Sequence, residues 1–167
     1  MKIAYIIPGS GGTFYCENCI RDLDLVKAMR KHGHDVVIVP MYLPLNLETG
    51  EQVNMTSIQF GAINVYLKQT MPFFRKSPRW LERLLDSLPL LNMAAKKAGS
   101  TRASGLEEMT LSMLKGEDGR QADELDRLAA MLRDTIQPEV VHLSNGLLLG
   151  LAGRLKEETG AAIVCSL

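Results

Sequence analysis

Three groups of residues in this chain have types and spacings that could do chemistry. The first is the glycine run Gly9, Gly11 and Gly12, followed by Thr13. Glycine lets a backbone turn tightly and present its N–H groups without side-chain interference. A helix starting directly afterwards would bring the positive end of its dipole to the same place. Two nucleotide motifs are excluded here. A triphosphate-binding loop ends in Gly-Lys-Ser/Thr, but Gly12 is followed by Thr13 and Phe14. A dinucleotide fingerprint needs a third glycine or alanine where Phe14 stands. It also needs a carboxylate at the end of the second strand, and "IVPMYLPL" has none. The run reads either as an anion-holding turn or as a plain tight turn into a helix.

The second group is "VVHLSNG", with His142, Ser144 and Asn145 at the end of a strand. Ser144 and Asn145 stand where a helix N-cap belongs, and capping alone accounts for their types. His142 reads as a core histidine with one hydrogen bond, or as an imidazole facing a cleft and binding a sugar hydroxyl or a polarised oxygen. The third group is the pair Cys16 and Cys19, one helical turn apart. Thiols at a helix N-terminus suit redox chemistry. A zinc site needs about four ligands, and beyond this pair only Cys165 and three histidines remain, with His32 and His34 at the far end of the helix. Cys16, Cys19, Leu23 and Val26 also form one apolar stripe, which favours burial as small hydrophobes. Asn18, Arg21 and Asp22 are polar in the first turns of this helix; they are solvated, or Arg21 reaches an anion at the glycine turn.

The elements that must position these groups follow from hydropathy. "KIAYII" is short, apolar and uncharged after Lys2, as a central strand buried on both faces should be. A helix follows to about His32, with Ile20, Leu23, Val26 and Met29 at helical spacing and Gly33 as its stop. "HDVVIVP" is a second buried strand, and the three elements make a βαβ unit with parallel strands and a right-handed crossover. The middle is less regular. "IQFGAINVYL" suits a strand or hairpin arm, "SPRWLERLLDSLPLL" an amphipathic helix, and "AAKKAGSTRASG" a linker of small residues. "LEEMTLSMLKG" and "QADELDRLAAMLRDTI" predict two more helices. "EVVHLS", "NGLLLGLAGRLKEETG" and "AAIVCSL" then predict strand, helix and strand. The whole reads as an α/β fold with a Rossmann-like, mainly parallel sheet flanked by helices.

Composition narrows the class. The 167 residues suit one domain and are 46% hydrophobic and 23% charged, with zero formal net charge. That balance gives no whole-chain electrostatic case for nucleic-acid binding. Charge is unevenly spread: Lys68 to Arg102 carries a net +6, and Glu107 to Asp126 a net −5. These read as two solvated faces, with the basic stretch and its aromatics in "TMPFFRKSPRWLERLL" an alternative peripheral membrane or acceptor surface. Three cysteines make no disulfide framework. The N-terminal apolar run is cut by Pro8 and too short for a signal sequence, so the expectation is a cytoplasmic protein. The last predicted strand has no covering helix after it, which suggests a domain cut from a longer chain.

Residues 1–44, with "MKIAYIIPGSGGTFYCENC" and "GHDVVIVP", resemble the start of a family 4 retaining glycosyltransferase of the GT-B fold. "PEVVHLSNGLLLGLAGRLKEETGAAIVCSL", residues 138–167, is similar to the same family's later strand–helix–strand unit. The resemblance implies the N-terminal, acceptor-side half of a two-domain enzyme, with most of the nucleotide-sugar donor bound by a second domain. It implies no metal and no cofactor, a glycan or lipid-linked acceptor, and no nucleophile in this half. By position, Gly11 and Gly12 match the family's glycine turn beside the donor phosphate. His142 matches the first histidine of a His-x-His pattern. Ser144 stands where the second histidine is usual, so a contact to the transferred sugar would fall to Ser144 or Asn145. Two other functions compete: a non-catalytic α/β module that binds an anion or a partner at the glycine turn, and a thiol redox or metal domain built on Cys16 and Cys19.

Overall fold

The computed structural model describes residues 1–9, 17–42, 56 and 107–166. Strand β1 (Lys2–Ile7) is buried from Ile3 onward, as its apolar sequence after Lys2 requires. Helix α1 (Glu17–Lys31) follows and ends at Gly33, whose φ of +81° only glycine adopts cheaply. Strand β2 (Asp35–Pro40) then pairs parallel to β1, from Lys2 opposite Asp35 to Ile7 opposite Pro40.

After the intervening chain comes helix α2 (Glu107–Lys115), then α3 (Ala122–Met131). A π turn, Leu132–Ile136, continues α3 and closes at Gln137, which is left-handed with φ 52°. Strand β3 (Val140–Leu143) pairs parallel to β1 on the side away from β2, with Tyr5 opposite His142. A 3-10 segment (Gly146–Leu151) leads into α4 (Ala152–Thr159), and β4 (Ala162–Cys165) pairs parallel to β3.

The strand order is therefore β2-β1-β3-β4, all parallel: an α/β, Rossmann-like sheet. β1 leads outward to β2 on one side, and β3 leads outward to β4 on the other. Right-handed crossovers in opposite directions put their helices on opposite faces. The cores agree. Val26 of α1 packs with Ile3, Tyr5, Ile7, Val36 and Ile38 on one face. On the other, Leu125, Leu128 and Leu132 join Leu148, Leu151 and Leu155 over Ala4, Ile6, Val39, Val141 and Leu143. Between the carboxyl ends of β1 and β3 lies the topological switch point, where open α/β sheets bind their ligands.

Three local features differ from the sequence expectation. The buried face of α1 is turned toward Asp22 and Val26, leaving Ile20 46% exposed, because the Asp22 carboxylate has a partner on the sheet. The expected helix "NGLLLGLAGRLKEETG" begins as a 3-10 segment. Its three-residue repeat eclipses Leu148 and Leu151 inward and leaves Leu147 and Leu149 exposed. Gly116 and Gly150 let α2 and this segment touch backbone to backbone: a Cβ on Gly116 would stand 1.9 Å from the Gly150 oxygen. Finally, β4 is half exposed rather than buried, with Val164 45% accessible, because among the described residues α1 covers only the β1–β2 half of that face. The predicted strand "IQFGAINVYL", the helix "SPRWLERLLDSLPLL" and the linker "AAKKAGSTRASG" lie outside the described residues, as do the basic stretch and Cys16; the side chain of Cys19 is likewise outside them.

Candidate functional site

The carboxyl end of β1 leads through Pro8 to Gly9, which adopts φ +84° and so turns the chain out of the sheet. Beside it, β3 ends at Leu143, and Ser144 continues the ladder with its N–H donating to the Ile6 carbonyl at 3.0 Å. Asn145 is the true N-cap: its Oδ1 accepts from the Leu147 N–H at 3.0 Å. Ser144 is fully buried instead, its Oγ accepting from Asn145 Nδ2 at 3.4 Å.

Helix α1 sends two adjacent residues into this junction. Asp22 is 2% exposed, and a buried carboxylate needs partners. It has three donors on a single oxygen. The Tyr5 hydroxyl donates to Oδ1 at 3.1 Å, Arg21 Nη2 at 3.0 Å and Arg21 Nε at 3.3 Å. Arg21 Nη2 also donates to the Ser144 carbonyl at 2.7 Å. One guanidinium thus spans the switch point from α1 to the end of β3. Its Nη1 makes no hydrogen bond among the described residues, and the side chain is 45% exposed.

The floor of the junction is aromatic. The Tyr5 and His142 rings are 4.5 Å apart at a tilt of 49°. Burial, and then the charge and hydrogen bond of Asp22, push the Tyr5 hydroxyl well above the ordinary tyrosine range, so it remains a donor. Burial also lowers His142 below its ordinary value, outweighing the attraction of Asp22, so the ring is neutral at pH 7. His142 Nε2 lies 2.8 Å from Ser166 Oγ. That is nucleophile-to-base distance, but His142 makes no second hydrogen bond among the described residues. Asp22 is committed to Tyr5 and Arg21, so the pair lacks the orienting acid of a hydrolytic triad.

Of the residues singled out from sequence, Arg21, His142, Ser144 and Asn145 come together at one end of the sheet. Asn18 is exposed on the first turn of α1. Gly11, Gly12 and Thr13 lie outside the described residues, and Gly9 is the part of the run that is seen. Arg21 is engaged by Asp22 and by the Ser144 carbonyl. Sequence reasoning did not pick out Tyr5 and Ser166, and gave Asp22 no role. Two signals were there: a tyrosine in an otherwise aliphatic buried strand, whose hydroxyl must find a partner, and an aspartate four residues before Val26 on the same helix face.

Among the described residues no three His, Cys, Asp or Glu side chains gather to hold a metal ion, and no helix is long and apolar enough to cross a membrane. The chain matches no family model, no curated protein and no solved structure.

Proposed function

We propose that this chain is the acceptor-side domain of a retaining glycosyltransferase, moving a sugar from a nucleotide-sugar donor to a glycan or lipid-linked acceptor. The observation that carries the reading is the switch-point junction. Gly9 with its left-handed turn, Arg21, Ser144 and Asn145 meet where an open α/β sheet receives its ligand. The resemblance to the GT-B family rests on neighbouring positions, Gly11 and Gly12 of the same glycine run and His142 of the same strand end, with Ser144 standing where the family usually has its second histidine. In this reading the glycine run stands beside the donor diphosphate, and Asn145 and Ser144 lie near the transferred sugar. A second nucleotide-binding domain holds most of the donor. Neither metal nor cofactor is required of this half, and the enzyme would work in the cytoplasm, against a membrane if its acceptor is lipid-linked.

The test is transfer by the full-length gene product, assayed against a panel of nucleotide sugars with product stereochemistry read by NMR. Transfer with retained anomeric configuration, reduced by Asn145→Ala, is expected. Inversion overturns the reading. Nucleotide binding at this junction without any transfer would instead support a non-catalytic anion-binding module.

A further inference from the structure

Arg21 is the obvious candidate for an anion receptor in this junction, yet its surroundings argue otherwise. Its Nε and Nη2 are already given to Asp22 Oδ1 and to the Ser144 carbonyl. Asp22 cannot turn away, because it is 2% exposed and the Tyr5 hydroxyl holds the same oxygen from the sheet side. A phosphate placed against Nη1 would therefore face a guanidinium whose other edge is already paired with a fixed carboxylate. The repulsion would cancel much of the attraction. A neutral hydroxyl suffers no such penalty. It can accept from Nη1 and donate to the Ser144 carbonyl, which retains a second lone pair.

We propose that Asp22 sets the specificity of this junction: by neutralising Arg21 in a fixed geometry, it makes the Arg21–Ser144 stretch a receptor for an uncharged sugar hydroxyl and disfavours phosphate there. The inference rests on the sugar-transfer reading and narrows it, since phosphate is then left to the glycine run. Asp22 acts through Arg21 and is a positioning residue.

The experiment is NMR titration of the 15N-labelled chain with D-glucose and, separately, with inorganic phosphate. Glucose should shift the Ser144 and Asn145 amides and the Arg21 side-chain signals. Arg21→Gln should leave phosphate affinity within about twofold, because the charge it removes is already cancelled. Asp22→Asn should raise phosphate affinity at Arg21 about tenfold, the effect of deleting one charge on the other edge of the guanidinium in a medium of intermediate dielectric. A purely structural role for Asp22 predicts unchanged or weaker phosphate binding. A folded Asp22→Asn protein with no gain overturns the proposal, as does loss of phosphate binding in Arg21→Gln. The second variant decides the matter alone if the first does not fold, because Arg21 lies half exposed at the surface. If glucose binds the junction but Asp22→Asn brings no gain, only this inference falls. If neither glucose nor a nucleotide sugar perturbs the junction, the sugar-transfer reading falls with it.

Discussion

Tyr5→Phe isolates one bond at the centre of the junction. The ring stays, so the contact with His142 at 4.5 Å and the fully buried packing against α1 are kept. Only the hydroxyl is lost, and with it the 3.1 Å bond to Asp22. A hydrogen bond to a charged acceptor is worth about 1.5–3 kcal/mol. Asp22 keeps both Arg21 donors, so it is not stranded, and the expected loss is about 2 kcal/mol. For a domain of this size that is a fall of about 4–8 °C in melting temperature. Urea unfolding followed by circular dichroism should show a lower midpoint at an unchanged slope. The sign with pH can be checked as well. The Tyr5 pKa is raised in the fold above its ordinary 10.0, so this contribution is fully present below pH 10 and declines as pH rises above it. The variant should therefore lose less stability than the parent on going alkaline. A double-mutant cycle with Asp22→Asn should return a coupling of about 1 kcal/mol. A Tyr5→Phe protein within about 0.5 kcal/mol of the parent, or one with no coupling, would refute a buried Tyr5–Asp22 bond.

Two further outcomes are expected. His142 is held neutral by burial, with its pKa lowered from the ordinary 6.5, so its contribution is intact above pH 6.5 and is lost as pH falls below it. His142→Asn should flatten that acid limb in urea titrations between neutral and mildly acidic pH, and an unchanged limb would show that another group is responsible. Gly116→Ala should destabilise by roughly 3 kcal/mol. It forces a Cβ to within 1.9 Å of the Gly150 oxygen and also places alanine at φ 57°; a loss below about 1 kcal/mol would show that α2 can move off the 3-10 segment freely.

The sequence alone determined the strands and the helices between them. The apolar runs after Lys2 and Asp35 and at Val140–Leu143 read as buried parallel strands, and Gly33 and Gly160 stop the helices that join or follow them, because those rules depend on near neighbours in the chain. The capping residue was legible as Ser144 or Asn145, but not which of the two. That choice was made by the Ile6 carbonyl, which draws Ser144 into the ladder and leaves Asn145 to cap. The polar junction itself was decided only by tertiary structure. Tyr5, Asp22 and His142 are far apart in sequence, and nothing local says that β3, rather than β2, carries a polar residue opposite Tyr5. The strand order put His142 beside Tyr5, and the rotation of α1 brought Asp22 over them. The adjacent Arg21 supplies two donors to that buried charge, and the third, the Tyr5 hydroxyl, had to come from across the fold.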